Sequence, residues 1–117
     1  MRPEEPHETG DRVTSSLQDF KAQLFRALGH EVRIRLLEEL RRGECAVGEL
    51  QERVGVSGPN VSRHLAVLRA QGLVGTTRDG TSVRYSIVDE RIHNLLDDAR
   101  AIFEDRIVAG AALLNEE

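Results

Sequence analysis

This chain cannot build a disulfide framework: Cys45 is its only cysteine in 117 residues, and a lone thiol has no intrachain partner. Nothing therefore points to a secreted, disulfide-stapled scaffold. The chain also lacks any apolar run near the ~20 residues that span a bilayer. Its first 13 residues are polar and charged, with Pro3, Pro6 and Gly10, and hold no apolar core of the kind that marks a signal peptide. The expectation is a cytoplasmic protein with no membrane partner. Internal repeats and low-complexity segments are absent. So are a glycine-rich phosphate loop, a nucleophile–base pair and the paired carboxylates of a catalytic cleft. An enzyme is not expected, and neither is a cofactor.

What remains is an ordinary globular composition, 39% hydrophobic and 31% charged. A single domain of this length buries roughly two thirds of its unfolded surface, enough for one core without staples. The net charge of −4 argues at first against a polyanionic partner, but the charges are unevenly placed. Residues 53–84 carry five arginines (Arg53, Arg63, Arg69, Arg78 and Arg84) against one acid, Asp79, a local net of +4. The segments on either side are acidic. A polyanion responds to the field of a patch rather than to the total.

Hydrophobic spacing predicts the elements. Residues 1–14 read as a flexible tail, with caps at Thr14, Ser15 and Ser16. Leu17, Phe20, Leu24, Ala27 and Leu28 recur at helical spacing and predict a first helix ended by Gly29. Val32, Leu36, Leu37 and Leu40 predict a second, stopped by Gly43. A short third helix covers about 46–54, with Val47, Leu50 and Val54 inward, and Gly55 breaks it. Ser57 is placed to cap a fourth helix, and Pro59 sits in its first turn, where a missing N–H costs nothing. Val61, Leu65 and Leu68 line its buried face. Gly72 suits a left-handed residue after its end, with apolar Leu73 following. Two β runs, about 74–78 and 82–87, flank Asp79–Gly80, a hairpin signal. Asp89 is placed to cap a last helix. Its apolar positions (Ile92, Leu95, Leu96, Ala99, Ile102, Phe103, Ile107, Ala111 and Leu114) form a stripe too long for a domain already closed by the earlier helices.

The expected fold is mainly α with a small β-hairpin: a winged helix-turn-helix of five helices and a two-stranded wing. Residues 15–110 form the domain, and 111–117 are the end of the last helix or a tail. In such a fold the third helix braces the fourth, whose N-terminal residues meet base edges in the major groove. Ser57, Pro59, Asn60, Ser62, Arg63 and His64 are the candidates there. Arg63 has the fork to read guanine and Asn60 the amide to read adenine. Arg78, Thr81, Ser82 and Arg84 on the hairpin are candidates for gripping backbone or minor groove. The expected partner is a double-stranded DNA operator. The alternative is a winged-helix protein-interaction module without DNA binding, against which the cationic recognition face argues.

Three stretches, LFRALGHEVRIRLLEEL (Leu24–Leu40), VGELQERVGVSGPNVSRHLAVLRAQGLV (Val47–Val74) and RDGTSVRYSI (Arg78–Ile87), resemble the ArsR-type family of bacterial winged helix-turn-helix repressors. The resemblance covers about residues 15–107. It implies a homodimer built from the first and last helices, with Leu17, Phe20, Leu24, Leu95, Ile102 and Phe103 as interface candidates. It also implies repression relieved by an inducer, whose identity no residue names.

Many members of that family sense metals. One such site is a Cys-x-Cys pair whose positions here are Ala46 and Gly48, with Cys45 one residue short. A second uses four ligands on the last helix. Asp89 matches the first, while Arg91, Ile102 and Asp105 take the other three places, and neither arginine nor isoleucine holds a soft divalent metal. No family metal site is expected. Cys45 remains a weak metal candidate with His7, and its plainer reading is a partly buried small side chain at a helix start. His64 reads as a ring packed beneath its helix or a phosphate contact, His30 as a cap, and His93 as a solvated partner of Asp89.

Overall fold

The computed structural model describes the backbone of residues 4–116 and the side chains of residues 16–111. Among the described residues the order is α1 (Glu4–Leu28), α2 (Glu31–Leu40), β1 (Cys45–Ala46), α3 (Val47–Val54), α4 (Gly58–Ala70), β2 (Val74–Asp79), β3 (Ser82–Ile87) and α5 (Arg91–Glu116). The winged helix-turn-helix expectation holds, with three local corrections.

The first correction concerns the N-terminus. The tail expected over 1–14 is helical from Glu4 onward, so Thr14, Ser15 and Ser16 lie inside α1 instead of capping it.

The second is the sheet, which has three strands in the order β1-β3-β2. Cys45 and Ala46 pair antiparallel with Tyr85 and Arg84, so Cys45, buried and one residue before the Ala46 N-cap of α3, also lies in a strand of the sheet. A two-residue strand carries no periodicity, which is why spacing alone misses it.

The third is the turn. Asp79 pairs with Ser82, so the two-residue loop is Gly80–Thr81, one step beyond the expected Asp79–Gly80. Gly80 has φ +66°, and glycine at the first central position is what a type II′ hairpin requires.

The core is one apolar cluster. Leu36, Leu37 and Leu40 of α2, Leu50 and Val54 of α3, Val61, Leu65 and Leu68 of α4, Leu73, Val74, and Ile92 and Leu96 of α5 all lie buried in it. Their recurrence at helical spacing makes one face of each helix apolar, and burying those faces together fixes the relative angles of α2, α3 and α4. The ends of α4 follow the sequence signals. Gly72 (φ +74°) donates to the Arg69 carbonyl at 2.9 Å and Leu73 to the Leu68 carbonyl at 3.0 Å, the paired bonds of a Schellman cap. The α3–α4 turn starts at Gly55 (φ +75°), whose N–H donates to the Gln51 carbonyl at 2.9 Å. A Cβ there has open space, so only the left-handed backbone penalises a side chain. Gly55→Ala is expected to cost about 1–2 kcal/mol of stability, read as a lower denaturant midpoint with an unchanged slope.

Candidate nucleic-acid interface

α4 buries Val61, Leu65 and Leu68 and turns the opposite side outward. Ser57, Pro59, Ser62 and Arg63 are exposed at its N-terminal half, and Asn60 is half-buried. Ser57 occupies the N-cap position without a side-chain cap bond, which leaves its hydroxyl directed to no partner within the helix. Arg63 donates through Nη2 to the Asn60 side-chain oxygen, so the two expected base-reading side chains form one unit. Beyond it the β2–β3 hairpin presents Arg78, Thr81 and Ser82, all exposed.

The five arginines of the basic stretch divide into two groups. Arg63, Arg69 and Arg78 are exposed and pair with no acid among the described residues. Arg53 and Arg84 are engaged by neighbouring side chains. Arg53 donates to Cys45 Sγ at 3.1 Å and lies 3.9 Å from Glu39. Arg84, expected on the gripping face of the wing, instead donates to the Glu44 carboxylate and the Glu44 carbonyl, each at 3.0 Å, and lies 3.4 Å from Glu49. Its outward position in the β3 alternation is covered by the β1 segment that spacing missed. Glu49 has a sequence signal: three residues after Ala46, it stands where a helix-capping carboxylate belongs. It accepts from the Ala46 N–H at 2.9 Å. That backbone bond, with Arg84 and Arg53 nearby, holds its carboxyl below the usual carboxylate range.

His64 packs against α2. Its ring lies 4.3 Å from that of His30, and its Nδ1 accepts from Arg33 Nη1 at 3.2 Å. The same guanidinium donates to the carbonyls of Ala27 at 2.6 Å and Arg26 at 3.0 Å. Arg33 thus ties the end of α1 to the recognition helix, a role its sequence position does not announce. His30 caps α2 as expected, with Nδ1 accepting from the Val32 N–H at 3.1 Å. Burial, then the positive charges of His30, Arg33 and Arg63, pushes the His64 pKa down from 6.5. The unfolded chain therefore binds the His64 proton at higher pH than the folded one, and stability falls as pH drops below 6.5. Denaturant midpoints between pH 7.5 and 5 are expected to fall more in the wild type than in His64→Gln.

The positions aligned with the family's metal sites carry other chemistry. Asp89 accepts from the Arg91 N–H at 3.1 Å and from its guanidinium at 2.9 and 2.8 Å. Those bonds lower its pKa to about 2, and they provide the expected start of α5. Cys45 is buried, and among the described residues no three metal-ligating side chains come together. His7 lies outside the residues whose side chains are described. His93 meets Arg41 at 3.1 Å and Glu90 at 3.9 Å instead of Asp89, and Arg41 also bonds Asp97 at 2.7 Å, which pins α5 to α2. No helix among the described residues is long and apolar enough to cross a membrane.

A braced helix with a polar, cationic N-terminal half beside a short β wing defines a DNA-binding transcriptional regulator of the winged helix-turn-helix class. Residues 30–76 match the model of the arsR family of bacterial regulatory proteins. The chain is similar to a probable mercury resistance operon repressor of Streptomyces lividans, 41% identical over 91 residues that cover 78% of this chain and 73% of that protein. It is also similar to the uncharacterized HTH-type transcriptional regulator Rv0081 of Mycobacterium tuberculosis, 39% identical over 101 residues, 86% of this chain and 89% of that one. The crystal structure of Rv0081 superposes with a TM-score of 0.73, covering 82% of this chain and 96% of that one. The solution structure of the homodimeric winged helix-turn-helix DNA-binding domain Mb0332 of Mycobacterium bovis gives a TM-score of 0.74 at 28% identity, covering 80% of this chain and 87% of that one. The chain belongs to the arsR family of bacterial regulatory proteins.

Proposed function

We propose that this protein is a homodimeric repressor that binds a two-fold symmetric DNA operator in the cytoplasm and is released from it by a signal other than a metal held at the family's two known sites. The observation that carries the proposal is the outward face of α4. Ser57, Asn60, Ser62 and Arg63 stand together at its N-terminal half, and Arg69 at the end of α4 and Arg78 on the wing are further exposed cations. Two such faces related by a dimer axis read two half-sites about one helical turn apart. The dimer surface is the apolar side of α1 and α5, where Leu17, Phe20, Ile102 and Phe103 are each more than half exposed. Leu24 and Leu95 are partly buried beside the core and form its inner edge. A homodimeric relative of the same fold supports this assembly, and relatives named as repressors support the direction of control.

The test begins with duplexes selected by the full chain from a random-sequence pool, then titrated against scrambled versions at several salt concentrations. A sequence-specific repressor binds the selected duplex at least about 10³-fold more tightly. Its log K falls by roughly 0.9 per phosphate contact against log salt. Equal affinity for selected and scrambled duplexes refutes the proposal, and salt-insensitive capture of a protein partner would favour the interaction-module reading.

A further inference from the structure

The wing arginines are not equivalent. Arg78 is exposed near the hairpin tip, where the sheet has two strands. Arg84 lies one register step further from the tip, paired with Thr77 of β2 on one side and with Ala46 of the third strand on the other. Its guanidinium gathers three acceptors from two neighbouring elements. Nε takes the Glu44 carboxylate and Nη2 the Glu44 carbonyl, each at 3.0 Å, with the Glu49 carboxylate 3.4 Å away. Glu49 belongs to the first turn of α3 and also holds the Ala46 N–H. One side chain thus fastens the wing strand β3 to the segment entering β1 and to the start of the helix that braces α4.

We infer that Arg84 is a positioning residue for DNA binding, which sets the wing relative to the recognition helix without touching DNA itself. The inference rests on the DNA-binding reading above. Charge supports it: the Arg84 guanidinium is matched by the Glu44 and Glu49 carboxylates, with Arg53 also near Glu49, so it presents no unpaired cation to a phosphate. To reach one, Arg84 would have to release its charge-assisted bonds and leave two carboxylates facing a polyanion. The fork geometry supports it as well. Two separate acceptors are held by Nε and Nη2, an arrangement that a lysine ammonium does not reproduce.

The experiment measures affinity for the selected duplex and its scrambled version across a salt series. It uses the full-length wild type and Arg84→Ala, Arg84→Lys, Arg78→Ala and the double variant Glu44→Gln/Glu49→Gln, each confirmed folded by its thermal transition. A positioning role predicts that Arg84→Ala weakens the selected duplex roughly 2- to 30-fold with an unchanged salt slope, and affects the scrambled duplex less. Arg84→Lys should fail to restore binding. The double glutamine variant should also weaken the selected duplex, although it removes two negative charges near the DNA. Arg78→Ala serves as the contrast, lowering the slope by about 0.9. The inference is overturned if Arg84→Ala lowers the slope by that amount and weakens both duplexes alike, if lysine restores binding, or if the double variant binds more tightly. Failure of the wild type to prefer its selected duplex would instead refute the DNA-binding reading.

Discussion

Phe103→Asp is expected to leave a folded monomer whose affinity for a two-half-site operator is lower by about 10²–10⁴-fold, the advantage that linked binding of two recognition helices confers. Phe103 and its neighbours Ile102, Ile107 and Val108 on α5 are each more than half exposed, as are Leu17, Phe20 and Phe25 on α1. Soluble monomers rarely leave so many large apolar side chains of two helices uncovered. An aspartate among them would be desolvated without a partner in the dimer, yet would sit in water in the single chain, so the substitution separates assembly from folding. Sedimentation equilibrium reads the mass, and titration of the selected duplex reads the affinity. A variant that remains dimeric would remove α5 from the interface.

The second large effect belongs to Arg63. Its alanine variant is expected to lose about 1–3 kcal/mol of operator binding and to relax preference at one base pair per half-site. The Arg63–Asn60 bond makes the two side chains a coupled pair, so the double alanine variant should lose less than the sum of the single losses. Competition with a panel of single-base variants of the selected duplex measures both effects. A uniform loss across the panel, with a salt slope lower by about 0.9, would make Arg63 a phosphate contact instead.

Much of this arrangement was legible because the residues that matter there act locally. The buried triplet Val61, Leu65 and Leu68, the Gly72–Leu73 ending and the left-handed Gly55 are fixed by spacing and backbone preference within a few positions. The parts that stayed hidden depend on contacts between distant positions. β1 is two residues long and exists only because β3 offers it a partner 40 positions away. For that reason Arg84 read as an outward wing arginine, and Cys45 as a partly buried residue with no strand around it. Arg33 likewise shows nothing in its own segment of the bridge it makes to His64, 31 positions on. The charge pattern located the basic stretch but overcounted its unpaired cations, since two of its five arginines are engaged with acids or sulfur.

The placement of Cys45 has a practical consequence. The residue is 2% exposed, its sulfur covered by Arg53 and bonded towards the Gly43 carbonyl, in a strand held to the wing by its pairing with Tyr85. A water-soluble alkylating reagent reaches it when that strand lifts away. As Cys45 is the chain's only cysteine, each molecule that reacts records one such event. Labelling time courses with and without duplex DNA would then act as a stopwatch for opening at the base of the wing, with no dye or engineered thiol added.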